Sequence, residues 1–144
     1  TFEMILQKAT EMGVHEITPI ISERTQIQEI RKLDRMNLII KEASEQCELI
    51  FLPQLNDEIK FADFVKNLPD GLTLAGDAWN YDEVLRKINF RNQNLNLVIG
   101  PEGGLSDSEL DALRKAGAKI FLLGKNVLRM ETAVIAALSV VLYG

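Results

Sequence analysis

Residues suited to chemistry are concentrated in two glycine-containing segments, the first of which is residues 100–105. This segment has the sequence Gly-Pro-Glu-Gly-Gly-Leu and follows the apolar run 95–99. Glycines let the backbone approach a ligand closely and leave its N–H and C=O groups free to bind it. The Glu102 carboxylate disfavours an anion and favours a cation or hydroxyl groups. The phosphate-binding Gly-Lys-Ser/Thr and G-x-G-x-x-G patterns are both absent. A tight strand-to-helix turn without a ligand remains the alternative.

The second segment, residues 123–133, also joins an apolar run to a helical pattern. Arg129 is a fixed cation whose planar donors suit phosphate or carbonyl groups. Glu131 and Thr132 lie in the first turn of the predicted helix, where the helix dipole favours a carboxylate. The segment therefore has the groups of a binding or catalytic loop. The alternative is that Arg129 and Glu131 form a solvated ion pair worth under ~1 kcal/mol.

Alternating strand and helix patterns position these two segments. The periodicities predict strands at 14–21, 72–75, 95–99 and 119–123, an extended segment broken by Pro53 at 49–55, and helices at 3–12, 31–48, 60–68, 81–88, 106–116 and 131–142. This order predicts one α/β domain with a mostly parallel sheet flanked by helices on both sides. In such sheets, ligands bind beyond the carboxyl ends of the strands. Both segments lie at such ends.

Composition limits the classes of function. The chain has 144 residues, one Cys, one His and a formal net charge of −5. A single Cys permits no internal disulfide, which fits the reducing cytoplasm, and one Cys with one His provides no metal-ligand cluster. No apolar run approaches the ~20 residues that span a bilayer. The negative charge argues against this domain gripping RNA alone, because phosphate contacts supply most nucleic-acid affinity.

Several motifs, in order along the chain, resemble one known family. The segments are "QKATEMGVHEITPIISERTQ", "EASEQCELIFLP", "VIGPEGGLSDSEL" and "LLGKNVLRMETAVIAAL". They are similar to the ribosomal RNA small subunit methyltransferase E family. Its members are SPOUT-class enzymes that methylate N3 of a uridine in 16S ribosomal RNA. The resemblance covers nearly all of the chain and leaves only residues 57–94 largely unmarked.

This resemblance implies a SPOUT-type trefoil-knotted α/β fold, S-adenosylmethionine as cofactor, a cytoplasmic homodimer and the small ribosomal subunit as partner. The sulfonium, ammonium and ribose diol of that cofactor suit a loop that contains a carboxylate. The apolar segment 132–143 is then either core or a dimer interface. The residues that the resemblance assigns to cofactor binding are Leu74, Gly76, Gly100, Pro101, Glu102, Gly103, Gly104, Leu123, Gly124, Leu128, Thr132 and Ala133.

The resemblance also suggests roles in catalysis and RNA binding. Arg129 would stabilise the uridine anion or hold the RNA backbone, and Glu131 would be the base or orient Arg129. Arg24 would contact RNA. Trp79 and Tyr81 could stack on a base, but packing is the favoured interpretation.

The chain departs from the family pattern in two ways. Family members usually have an N-terminal PUA-like barrel domain that residues 1–144 do not include. Leu49 occupies the place of a family arginine, so RNA contact or catalysis is expected to be weaker. The competing hypotheses are a non-catalytic RNA-binding or assembly module, and a SPOUT enzyme that acts on another RNA.

Overall fold

The computed structural model describes residues 2–25 and 33–144. Its α-helices are α1 (Phe2–Glu11), α2 (Leu33–Gln46), α3 (Phe61–Lys66), α4 (Asp107–Lys115) and α5 (Met130–Tyr143). Its strands are β1 (Glu16–Ile17), β2 (Ile20–Ile21), β3 (Gln54–Leu55), β4 (Ile59–Lys60), β5 (Leu72–Gly76), β6 (Glu83–Val84), β7 (Leu95–Ile99) and β8 (Lys119–Leu122). A short 3-10 helix occupies Leu85–Lys87.

A four-stranded parallel sheet in the order β6-β8-β5-β7 forms the centre of the domain. Successive side chains of a strand point to opposite faces, so adjacent residues of β5 enter two different cores. Ala75 packs with residues of α3 and α4 on one face. Leu74 packs with the 3-10 helix and α5 on the other face. Helices therefore cover both sides of the sheet, which confirms the predicted α/β class.

The N-terminal part packs beside this sheet as two helices and two short parallel strand pairs. Leu6, Met36 and Ile40 form a small buried cluster between α1 and α2. Glu3 and Arg35 form an ion pair across the same helices, and this hydrogen bond raises the pKa of the Arg35 guanidinium. The prediction for α2 began at residue 31, which lies outside the described residues together with residue 32.

The strand predicted at 14–21 is interrupted at Pro19. β1 pairs with β3, whereas β2 pairs with β4, so the chain changes partner between the two short strands. Proline has no N–H to donate to a strand ladder, which explains the break. The Pro19 carbonyl still accepts a hydrogen bond from the Ile59 N–H at 3.0 Å.

The helix predicted at 81–88 is wrong. The structure instead has β6 followed by the 3-10 helix. Asp82 causes this difference, because its N–H donates to the Ile120 carbonyl at 2.8 Å and its carboxylate accepts from the Ile120 N–H at 3.0 Å. Leu85 and Ile88, whose spacing suggested a helix, are buried through the 3-10 turn. No helix in the described part of the chain is long and apolar enough to cross a membrane.

Candidate functional site

The carboxyl ends of three neighbouring strands meet at one edge of the central sheet. β5, β7 and β8 run parallel in adjacent positions, so the segments that follow them converge. They enclose a cleft of about 330 Å³. The residues that line it are Arg24, 76–80, 99–105, 107, 121–124, 126–128, 130 and 133. Glu102 of the first predicted segment and Leu128 of the second both lie in this lining, so the predicted convergence of the two loops is confirmed.

The first loop, defined as residues 100–105, turns sharply as it leaves β7. The Gly104 N–H donates to the Pro101 carbonyl at 2.8 Å, and Gly104 has a φ of +78°. That left-handed conformation is costly for residues with a Cβ, which explains the glycine. At Gly100, a Cβ would lie 3.0 Å from the Leu105 Cγ, so the loop is also tightly packed against itself. The turn leaves Glu102 exposed beside the cleft.

A capping box joins the first loop to α4, as the sequence predicted. The Ser106 hydroxyl accepts from the Glu109 N–H at 3.2 Å, and the Glu109 carboxylate accepts from the Ser106 N–H at 2.9 Å. These bonds satisfy backbone donors that a helix N-terminus otherwise leaves unpaired. The beginning of α4 and the end of the loop are therefore fixed together.

Arg24 closes one side of the cleft. Its Nη1 atom donates to the Gly103 carbonyl at 2.8 Å, and a Cβ at Gly103 would lie 3.3 Å from the Arg24 Cβ. The sequence had suggested an RNA contact for Arg24 through resemblance alone. The structure places its side chain on the first loop, and the other N–H groups of the guanidinium have no partner within residues 2–25 and 33–144.

The segment after β5 forms a third wall of the cleft, of which the sequence predicted only Leu74 and Gly76. The Asp77 carboxylate accepts from the Trp79 N–H at 3.0 Å and from the Asn80 N–H at 2.7 Å. Trp79 is 82% exposed at the rim and Tyr81 is 45% exposed, so the prediction that they pack inside the protein is wrong. The available signal was Asp77, an Asx-turn residue directly after a buried strand.

Not all predicted cofactor-binding residues reach the cleft. Leu74 is only 1% exposed and belongs to the core. Gly76, Leu123, Gly124, Leu128 and Ala133 do line it, as does the whole first loop. Thr132 is exposed outside the lining.

The second loop, defined as residues 123–129, joins β8 to α5. The two predicted catalytic residues lie where this loop meets α5, next to the cleft but outside its lining. Arg129 is the exposed N-cap of α5, and its carbonyl accepts from the Ala133 N–H at 2.8 Å. Within residues 2–25 and 33–144, no ion pair joins Arg129 to Glu131. The Oε2 atom of Glu131 is buried and has no hydrogen-bond partner in that same part of the chain. Such an oxygen is costly unless a donor reaches it. The roles of both residues stay predictions.

The charge of the cleft favours a cationic ligand. Among the described residues that line it, the carboxylates are those of Asp77, Glu102 and Asp107, and the only cationic side chain is that of Arg24. In the described residues, no group of His, Cys, Asp and Glu side chains could hold a metal ion.

A second, wider cleft of about 1330 Å³ is also lined by residues of the first loop. It separates the N-terminal strands from β7 and reaches along α5. Arg24, Met130 and residues 100–103 line both clefts. A second molecule bound in the wide cleft would therefore contact the same loop as a ligand in the small one.

The fold and the cleft define an α/β ligand-binding domain, and comparisons with known proteins identify its family. A model described as an RNA methyltransferase domain matches residues 1–142. The chain therefore belongs to the RNA methyltransferase domain family, and its α/β fold is of the SPOUT class. The trefoil knot stays a prediction.

Relatives over the same region include the ribosomal RNA small subunit methyltransferase E proteins of Mesomycoplasma hyopneumoniae and Aquifex aeolicus. They are 33% and 32% identical over 96% and 99% of this chain. The chain spans 63% and 62% of the length of these relatives.

Two similar solved structures contain bound S-adenosylmethionine. One, from Legionella pneumophila in complex with the cofactor S-adenosylmethionine, has a TM-score of 0.89 and 36% identity, and the match covers 96% of this chain and 59% of that one. The other is ribosomal RNA small subunit methyltransferase E from Neisseria gonorrhoeae bound to S-adenosylmethionine. It has a TM-score of 0.84 and 31% identity, with coverage of 96% and 58%.

Proposed function

We propose that this domain binds S-adenosylmethionine in the 330 Å³ cleft and methylates ribosomal RNA. The observation that supports this most is the charge of a glycine-lined cleft, whose carboxylates outnumber its single guanidinium among the described residues. The methyl donor has a sulfonium and an ammonium, and nearby carboxylates stabilise such cations. The volume of the cleft, about 330 Å³, lies at the small end of the range for ligand pockets.

The residues that line the cleft would contact the cofactor in two ways, through backbone and apolar surfaces and through a polar side chain. The first loop and the beginning of the second would contact the cofactor through backbone groups, since Gly124 leaves open space where a side chain would project. Glu102 would face a cationic or hydroxyl group. Phe121 and Leu122 form the apolar floor, which excludes water from the reacting atoms.

The proposed reaction is methylation of N3 of a uridine. When bound, the cofactor supplies a methyl group that is activated by its attachment to a positive sulfur. The protein must remove the N3 proton and stabilise negative charge on the uracil. We assign charge stabilisation or RNA-backbone binding to Arg129, and proton removal or orientation of Arg129 to Glu131. The unpaired Glu131 oxygen is consistent with a donor that arrives with substrate or a second subunit.

The substrate is proposed to be 16S ribosomal RNA in the small subunit, and the location the cytoplasm. The relatives named ribosomal RNA small subunit methyltransferase E support this choice. The target nucleotide would enter by the part of the wide cleft beside the first loop, because this loop is the wall that the two clefts share. Because this chain has a net charge of −5, we propose that a barrel domain of the kind found in the family supplies much of the RNA affinity.

We further propose a homodimer that buries α5. This helix is apolar around most of its circumference, yet only Ala137 and Leu138 are buried. Leu142 and Tyr143 are 46% and 73% exposed. A helix with apolar residues on all faces normally lies in a core or an interface.

Calorimetric titration tests the first step. We expect saturable heat with S-adenosylmethionine or its demethylated product, and lower affinity in the Glu102→Gln variant. Glu58→Gln is the matched control, because Glu58 is exposed outside the cleft. Absence of heat at ~1 mM ligand, where even a ~4 kcal/mol complex is half-formed, would contradict the assignment.

A methyl-transfer assay tests the second step. The chain, alone and fused to a family barrel domain, is incubated with small subunits lacking the modification, and the product nucleotide is mapped. N3-methyluridine in 16S ribosomal RNA is the expected product. Transfer only to another RNA would identify a different SPOUT enzyme, and cofactor binding without transfer would favour the non-catalytic module.

A further inference from the structure

Glu109 accepts one hydrogen bond more than the capping box of α4 requires. One carboxylate oxygen, Oε1, accepts from the Ser106 N–H and completes the capping box. The other oxygen, Oε2, accepts from the Glu23 N–H at 3.2 Å, from a segment 86 residues away. Glu109 is 7% exposed, so both bonds form in a largely buried environment. One side chain therefore joins the end of the first loop to the segment that precedes Arg24.

The segment in question is a closed turn at residues 22–25. The Ser22 N–H donates to the Thr25 hydroxyl at 3.0 Å, and the Thr25 N–H donates to the Ser22 carbonyl at 3.2 Å. The two hydroxyl groups lie 2.8 Å apart. These bonds make the turn one compact unit, and its only side-chain acceptor on α4 is Glu109.

The next residue in this turn, Arg24, reaches back to the same loop. Its guanidinium donates to the Gly103 carbonyl at 2.8 Å, three residues before Ser106. The contacts therefore form a closed ring, from Ser106 through Glu109 and Glu23 to Arg24 and back to Gly103. In this ring the bond to the Ser106 N–H is buried, the bond to the Glu23 N–H is partly buried and the Arg24 bond is exposed, so solvent reaches the Glu109 side least.

We propose that Glu109 is a positioning residue for the cleft, which holds the turn at 22–25 so that Arg24 fixes the Gly103 side of the first loop. The consequence for cofactor binding rests on the proposed function. The effect of Glu109 on the turn at 22–25 and on the first loop does not depend on it. Glu109 itself does not line the cleft, so its proposed effect on a ligand is indirect and passes through the turn at 22–25 and Arg24. The competing view is that Glu109 only caps α4.

Hydrogen exchange measured by mass spectrometry separates these views without any ligand. The two N–H groups bind different carboxylate oxygens, and the Glu109→Gln variant replaces one of these oxygens by an NH2 donor, so one of the two bonds is lost. Ser106→Ala is the matched control, because it removes the other half of the capping box and leaves the carboxylate in place. Thermal unfolding of both variants verifies that they are folded.

With Glu109→Gln, we expect the Glu23 N–H to exchange about tenfold faster, the effect of losing one charge-assisted hydrogen bond. We also expect faster exchange at Gly104, whose N–H is protected by the turn within the first loop. Ser106→Ala is expected to change exchange within α4 alone. If Glu109→Gln leaves Gly104 exchange unaltered, or if Ser106→Ala accelerates it equally, the positioning role is refuted.

A double-mutant cycle measures the consequence for the cleft. Glu109→Gln and Arg24→Ala are each expected to lower cofactor affinity about fivefold, and the double variant should lose no more than either alone. Additive losses would overturn the coupling, because a residue that merely stabilises α4 acts independently of Arg24. If the unaltered domain binds no cofactor, the proposed function fails, and the exchange experiment still decides the role of Glu109.

Discussion

Two glycines, one in each loop of the cleft, face different physical demands, and replacing each by alanine distinguishes them. Gly104 has a φ of +78°, and its nearest potential contact for a Cβ is the Arg24 Nη1 atom at 4.0 Å. Its requirement is therefore conformational. Gly124 has no such φ, and a Cβ there would meet no atom within 4 Å. Because Gly124 lines the cleft, a methyl group would project into space that the cofactor is proposed to occupy.

The expected magnitudes follow from these environments. A non-glycine residue in the left-handed region costs ~1–2 kcal/mol, so Gly104→Ala should lower the free energy of unfolding by that amount. For a chain of this size, the corresponding fall in Tm is ~3–7 °C. Gly124→Ala should leave stability unchanged or raise it by up to ~1 kcal/mol, since alanine restricts the unfolded chain. Its affinity for the cofactor should nevertheless fall at least about tenfold, equivalent to ~1.4 kcal/mol.

Urea titration and calorimetry with the demethylated cofactor measure the two quantities separately. Comparable m-values among the three proteins would show that the unfolded state is not altered. A Gly104→Ala protein as stable as the unaltered one would refute the left-handed turn. A Gly124→Ala protein with undiminished affinity would show that the second loop does not approach the ligand.

Three further experiments test other parts of the domain. Ser106→Ala should cost ~1 kcal/mol of stability by removing the cap of α4, with cofactor affinity retained; equal loss of both would contradict this. Trp79, the sole Trp, is 82% exposed at the rim, so its emission should shift to shorter wavelength when ligand covers it, and an unchanged spectrum at saturation would place the ligand elsewhere. Leu142→Asp should convert the proposed dimer to a monomer in sedimentation, whereas Leu33→Asp, on a helical leucine 48% exposed, should not.

Local sequence patterns predicted most of the central elements because their signals agree with their tertiary environment. The apolar run of β7 and the Ser106 cap of α4 lie where the sequence places them. The helix prediction for residues 81–88 failed because the spacing of Leu85 and Ile88 fits one turn of a 3-10 helix as well as an α-helix. The deciding interaction was the pairing of Asp82 with Ile120, which lies 38 residues away and has no local signature.

The site was predictable to the extent that topology determines it. Parallel strands bring their carboxyl ends to one edge, so the meeting of the two loops follows from the strand assignment. The contact between Arg24 and Gly103 spans 79 residues, and no periodicity in the sequence implies it. The Asp77 turn was missed because short polar segments after strands are common and only the fold shows which ones face a ligand.

The charge distribution separates the two tasks of the proposed enzyme. A cleft in which carboxylates outnumber cations stabilises a positive methyl donor but repels RNA phosphates, so one surface cannot serve both ligands. Arg24 lies on the boundary, where it contributes one N–H to the Gly103 carbonyl and keeps its charge beside the wide cleft. A guanidinium retains charge and further donors after making one hydrogen bond, which a lysine would do with less directional control. We therefore propose that Arg24 links the order of the first loop to the approach of an anionic substrate, and that both depend on the hydrogen bond between Glu109 and the turn at 22–25.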